Sequence, residues 1–314
     1  MNYWYEKTAF IDFVNQHADQ YLQAEKIKYC DVIYVSASSN FSQDVHGDTD
    51  PSKISQFVSY HFPHLRFEAI NKPASHAGIH RDILTLFDEG QTANTFIITI
   101  NLRSLGVDWR ESNLETALQQ SAVFYNHRPP LLNRFMASIG GYDNASQTRR
   151  NEVKKAQWDH DPLPFSPPQH TVTDWCAVEK WGDWRDPKRQ LADQFIKQYG
   201  FVANETNPRI QDLDKICAMA EENNWTVLFN LLPENVEKAD SLVGEDLSNL
   251  MRQNADWITK RYTEKGFAVA NNLELLENRH FTDIDFPTEH YDQEGRERIA
   301  EVLANKLKPL LKKN

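Results

Sequence analysis

Five short runs of β-branched, aliphatic and aromatic residues recur along the chain: Asp31 to Ser36, Arg66 to Asn71, Thr95 to Asn101, Trp225 to Leu231 and Phe267 to Asn271. Their composition and length predict strands. Between and after them, Pro51 to Tyr60, Ile79 to Phe87, Asn113 to Tyr125, Leu213 to Asn223 and Leu247 to Thr263 repeat apolar residues at three- and four-residue spacing. That period predicts amphipathic helices. Strands alternating with helices build a parallel sheet covered on both faces, so the pattern predicts an α/β fold: a three-layer α/β/α sandwich around a five-stranded parallel sheet. We read residues 1–314 as a single domain.

The alternation breaks from about residue 129 to 206, between the third and fourth strands. This stretch carries Pro129-Pro130, Pro162, Pro164, Pro167-Pro168 and Pro187, and four of the eight tryptophans, Trp158, Trp175, Trp181 and Trp184. A structureless loop of that length is improbable inside a compact domain. We therefore read it as a partly helical insertion, with Arg189 to Tyr199 as one helix and the tryptophans packed within it.

In parallel sheets ligands bind outside the carboxyl ends of the strands, where the strand order switches. Each predicted strand here ends in polar residues: Ser36 to Ser38, Asn71, Asn101, Asn230 with Pro233-Glu-Asn235, and Asn271. Any one asparagine can be a turn former. Their repetition beside a serine points to a crevice.

The net charge of −11 and pI near 5.5 argue against a nucleic-acid surface, which is built from Lys and Arg. The three cysteines, Cys30, Cys176 and Cys217, are too few and scattered for a disulfide framework or a zinc site. The histidines near the first two strands, His46, His61, His64, His76 and His80, show no metal-ligand spacing. The sequence has no Gly-x-Gly-x-x-Gly or Walker loop, so no metal and no cofactor is expected. No apolar run approaches the ~18 to 20 residues that span a bilayer. The chain reads as soluble, either cytoplasmic or the extracytoplasmic part of an anchored protein, since removal of an anchor would leave the same pattern.

A serine hydroxyl becomes a nucleophile when a neighbouring base takes its proton, and that base works best with a carboxylate fixing its tautomer. Ser38, in the turn after the first strand, meets the first requirement, with Ser36 and Ser39 as positional rivals. His290 meets the second. It stands between the acidic segment Asp283-Ile-Asp-Phe-Pro-Thr-Glu289 and an amphipathic run from Glu294 to Ala304.

With these residues in place the chain resembles the SGNH (GDSL-type) hydrolase superfamily. That family opens on a strand ending in Gly-Asp-Ser-like residues, has an Asn after its third strand, and closes with a His before its last helix. Val35-Ser-Ala-Ser38, Ile98-Thr-Ile-Asn101 and His290-Tyr-Asp-Gln-Glu-Gly-Arg296 stand in that order. The resemblance is nearest to the divergent branch of the teichoic-acid D-alanylation and alginate O-acetyltransferase-like proteins. It implies an oxyanion hole formed by Asn101 with the N–H groups of Ser38 and Ala74; the family's Gly falls in Asn71-Lys-Pro-Ala-Ser75, at Ala74 or Ser75. It also implies an esterase or O-acyltransferase acting on small acyl groups, acetyl foremost, of a carbohydrate or cell-envelope polymer. The alternative is a non-catalytic relative that holds a glycan or an assembly partner in the same crevice. Pro287 occupies the place, three before the histidine, where the family usually has Asp. The acid is therefore expected at Asp285, returned to the ring by a bend at Pro287; Glu289 is too near in sequence to turn back, and Asp283 is a less favoured stand-in.

Overall fold

The computed structural model describes residues 20–43, 47–87, 93–115, 145–178 and 187–312, with residues 4, 8, 118, 135, 136 and 139. A helix α1 (Gln20–Ile27) leads into β1 (Val32–Ser36), and α2 (Ile54–Tyr60) precedes β2 (Phe67–Asn71). Next come α3 (Ala77–Leu84) and β3 (Thr95–Ile100). Five helices then separate β3 from β4 among the described residues: α4 (Val107–Arg110), α5 (Gln147–His160), α6 (Val172–Cys176), α7 (Pro187–Tyr199) and α8 (Pro208–Glu222). After β4 (Thr226–Leu231) follow α9 (Val236–Leu242), α10 (Glu245–Glu264), β5 (Ala268–Asn271) and a last helix, α11 (Gln293–Leu311).

All strand pairs are parallel, in the order β2-β1-β3-β4-β5. The fold is the expected three-layer α/β/α sandwich. Each strand lies within a residue or so of the run that predicted it, because a buried parallel strand is apolar on both faces and stands out locally. Alternation then sorts the side chains. Ile33, Val35, Phe96, Ile98, Val227 and Phe229 join one core, with residues of α3, α8 and α10. Val32, Tyr34, Ile97 and Leu228 join the other, with α2 and α11. Leu163, Val172, Trp175 and Phe195, from the stretch between β3 and β4, belong to the first core. Trp175 is fully buried, its ring edge-on to Phe165 at 5.2 Å, so its role is packing. Trp181, Trp184, His46, Pro129-Pro130 and most of the helix expected from Asn113 to Tyr125 lie outside the described residues. No helix among the described residues is long and apolar enough to cross a membrane.

The element ends show why helices start where they do. Asn207 caps α8 by accepting the Arg209 N–H, with Pro208 in the first turn, and Asp292 caps α11 by accepting the Gly295 N–H. The start of α11 is then fastened to the loop before α2. Arg296, fully buried, donates to Asp48 Oδ2 at 2.9 Å and to the carbonyls of Asp50, Ser52 and Tyr291. Gln293 Oε1 accepts the N–H groups of Thr49 and Asp50, each at 2.8 Å.

Removing the guanidinium would leave a carboxylate and three carbonyls each short of a donor. Arg296→Met is therefore expected to destabilise the fold by about 3–5 kcal/mol, as loss of one partner of a buried ion pair does. Urea unfolding measures it, and a loss below about 1 kcal/mol would mean that water replaces those bonds.

Candidate active site

The strand order places β1 between β2 and β3, so the chain switches sides of β1 where Ser38, Ala74 and Asn101 follow three adjacent strands. Register aligns the ends: Ser36 pairs with Asn71, and Val35 with Ile98. Beyond Ser36 the chain turns through a short 3₁₀ segment, Ser38–Asn40.

Asn40 fixes that turn. Fully buried, it donates from Nδ2 to Asn71 Oδ1 (2.8 Å) and Ser55 Oγ (3.0 Å), and its Oδ1 accepts the Ser55 N–H (2.8 Å). One amide thus joins the end of β1 to the end of β2 and the start of α2. Ser36 and Ser39, the rivals of Ser38, are both buried and face each other at 3.4 Å. Ser38 is partly exposed, and its Oγ lies 3.0 Å from His290 Nε2.

On the other side of the ring, His290 Nδ1 lies 2.7 Å from Asp283 Oδ2. Here the structure departs from the expectation. Asp285 is exposed and lies on the wall of a cavity of about 680 Å³ shared with Lys188, Lys238 and Ile284. The reason is the pairing of the loop. Phe281 and Tyr291 form an antiparallel bridge, and the Thr282 N–H donates to the His290 carbonyl at 3.0 Å. That closes the mouth of a loop with Asp283 opposite His290 and leaves Asp285 at its tip. The Thr288 hydroxyl also donates to Asp283 Oδ2. Burial works to raise the Asp283 pKa, but the hydrogen bonds from Thr288 and His290 and the charges of His290 and Arg103 outweigh it and hold the carboxyl below its ordinary value. An ionised carboxylate only accepts, so Nδ1 carries a proton, and the tautomer able to act as a base has its Nε2 lone pair toward Ser38.

Ala74 and Asn101, the residues expected around an oxyanion, lie at the ends of β2 and β3. Ala74 has φ +59° in the turn Lys72-Pro-Ala-Ser75, closed by the Ser75 N–H on the Lys72 carbonyl. This left-handed backbone is what a glycine at that place would supply, and an alanine holds it at a cost of about 1–2 kcal/mol. Asn101 accepts the Ser104 N–H through Oδ1, which caps the 3₁₀ turn Leu102–Leu105 and leaves Nδ2 as its remaining donor group. Among the described residues the N–H groups of Ser38 and Ala74 have no protein acceptor.

The other strand-end asparagines have structural work. Asn230 bonds Tyr34 and Asn272, Asn235 caps α9 and bonds Asn278, and Asn271 accepts the Leu273 N–H. A second serine–histidine pair, Ser75 Oγ to His80 Nε2 at 2.8 Å, is closed off, both residues being at most 2 % exposed. Burial and the nearby His76 push His80 down to about 3, so it stays neutral. His76 caps α3 and bonds Glu115.

The sequence reading missed Arg103, and it weighed Glu289 only as a candidate acid. Arg103 and Glu289, both buried, form a two-pronged ion pair, with Arg103 Nη2 at 2.9 Å from Glu289 Oε2. The signal in the sequence was faint: a lone charge inside the apolar Leu102-Arg-Ser-Leu105, two residues beyond the asparagine.

No family model matches the sequence, and no curated protein matches it. Among solved structures the chain is similar to one from Desulfitobacterium hafniense DCB-2, named as a candidate lipolytic protein of the G-D-S-L family. The likeness covers 88% of this chain and 98% of the other, at a TM-score of 0.38 and 10% identity.

Proposed function

We propose that the chain is a serine-dependent ester hydrolase or O-acyltransferase. One observation carries the reading: the ring of His290 lies within hydrogen-bond reach of a partly exposed serine on one nitrogen and of an aspartate on the other. Those contacts are what acyl transfer needs, since the base must reach the nucleophile before any tuning of its acidity matters.

In this mechanism Ser38 Oγ attacks the acyl carbon while its proton passes to His290 Nε2. Asp283 keeps the Nδ1–H oriented and offsets the imidazolium charge. The oxyanion of the tetrahedral intermediate is received by the N–H groups of Ser38 and Ala74 and by Asn101 Nδ2. His290 then returns the proton to the leaving alkoxide, which departs and leaves an acyl-serine. Water or a sugar hydroxyl, deprotonated by the same nitrogen, releases the acyl group. Which of the two arrives decides between hydrolase and transferase. A small acyl group, acetyl on a carbohydrate or cell-envelope polymer, is the substrate class that follows from the resemblance of Val35–Ser38, Asn101 and His290–Arg296 to the SGNH superfamily.

Labelling with a fluorophosphonate tests the serine without knowledge of the substrate. Ser38→Ala is expected to abolish labelling and to lower turnover of a small activated acetyl ester by roughly 10⁴-fold or more, and Asp283→Asn by about 10⁴-fold, while Asp285→Asn stays near wild type. Undiminished labelling of folded Ser38→Ala would place the nucleophile elsewhere. Equal effects of Asp283→Asn and Asp285→Asn would remove Asp283 from its role.

Asn101 both caps a turn and offers a donor, and two substitutions separate the duties. Asn101→Ala loses both; Asn101→Asp keeps the capping oxygen and loses the donor. Both are expected to lower turnover by about 10²–10³-fold, the effect of deleting one oxyanion donor. Wild-type kinetics in Asn101→Asp would reduce Asn101 to a cap.

A further inference from the structure

The loop from Asp283 to His290 is wound around one side chain. Arg103 enters from the 3₁₀ turn after β3, is 6 % exposed, and holds Glu289 by two parallel hydrogen bonds. Its guanidinium carbon lies 4.5 Å from the centre of the Trp109 ring and 5.7 Å from that of Phe286. Arg103 therefore grips the loop twice, through Phe286 and through Glu289, between the acid and the base.

Three consecutive residues divide the work. Thr288 donates to Asp283, Glu289 takes Arg103, and His290 faces Ser38 and Asp283. A swing of Glu289 would displace both of its neighbours. The root of Arg103 is itself fixed: Glu234, fully buried, accepts the Leu102 N–H at 3.2 Å and the Tyr199 hydroxyl at 2.7 Å.

We propose that Arg103 is a positioning residue of the Ser38 site, setting the Asp283–His290–Ser38 geometry from β3 through Glu289 and Phe286. The proposal rests on the acyl-transfer reading above. A buried ion pair is costly to desolvate and is often replaceable by apolar side chains without loss of stability. What such a pair supplies here is placement, because a planar, two-pronged contact fixes direction as well as distance. Arg103 is also among the charges that hold Asp283 ionised.

The test compares the wild type with the double variant Arg103→Met/Glu289→Met and with Arg103→Lys, which keeps the charge but loses the planar fork. The double variant is expected to keep its thermal midpoint near wild type. Its kcat on a small acetyl ester should fall about 10²-fold with KM little changed, the penalty of misplacing a catalytic group by about 1 Å. Fluorophosphonate labelling should slow in parallel, and Arg103→Lys should fall between. A second readout does not depend on turnover. The Nδ1-bound proton of His290, hydrogen-bonded to Asp283, should give a downfield NMR signal in the wild type that shifts or broadens in both variants. A folded variant with wild-type kcat and an unshifted signal overturns the role of Arg103. If the double variant does not fold, Arg103→Lys is judged by the same two readouts. Should the wild type neither label nor turn over esters, the acyl-transfer reading falls, and the His290 signal alone decides whether Arg103 sets the geometry.

Discussion

Parallel pairing sends every strand's carboxyl end to one edge of the sheet, and the rest of this molecule is arranged around that constraint. With β1 between β2 and β3, the turns bearing Ser38, Ala74 and Asn101 are neighbours in space although spread along the sequence. Apolar contacts on both faces hold the register, since a one-residue slip would exchange the side chains of the two cores. The gathering of these turns at one end of the sheet is thus a by-product of burying apolar residues on both faces.

Several polar groups buried near that end of the sheet are fully enlisted in bonds between elements. Asn40, Arg103 with Glu289, and Arg296 are each at most 6 % exposed and spend their donors on named acceptors from other elements. Burying such groups yields little net stability, because desolvation consumes most of the gain. Their effect is geometric. Asn40 sets the turn of Ser38 against β2 and α2, Arg103 closes the loop of His290 against β3, and Arg296 seats the helix that follows that loop.

Among the described residues the molecule holds two serine–histidine pairs, and they differ in what the proposed acyl chemistry needs. Ser75 and His80 are closer together than Ser38 and His290, yet they are enclosed and no carboxylate is bonded to the His80 ring among the described residues. The Ser38 pair differs in access and in Asp283. Acyl chemistry needs room for a substrate carbon beside the nucleophile and a fixed tautomer behind it, and the second pair offers neither.

The sequence by itself determined the strands, most of the helices and the polar residues at the strand ends, because each rests on a local signal: a short apolar, β-branched run for a buried parallel strand, a period of 3.6 for a helix, and a change to polar residues where a run stops. It also singled out Ser38 and His290, since a serine after the first strand and a histidine before the last helix are visible as positions. Only the tertiary structure decided what lies between them. The Ser38–His290 contact spans 252 residues, and it depends on the order in which strands pair, which periodicity does not encode. For the same reason the carboxylate beside His290 is Asp283 and not the expected Asp285. A bend at Pro287 is a local feature, whereas the loop is bridged at its mouth and tied through Glu289 to Arg103, 186 residues away in sequence. Local rules describe a loop's residues, whereas its path is set by what it packs on.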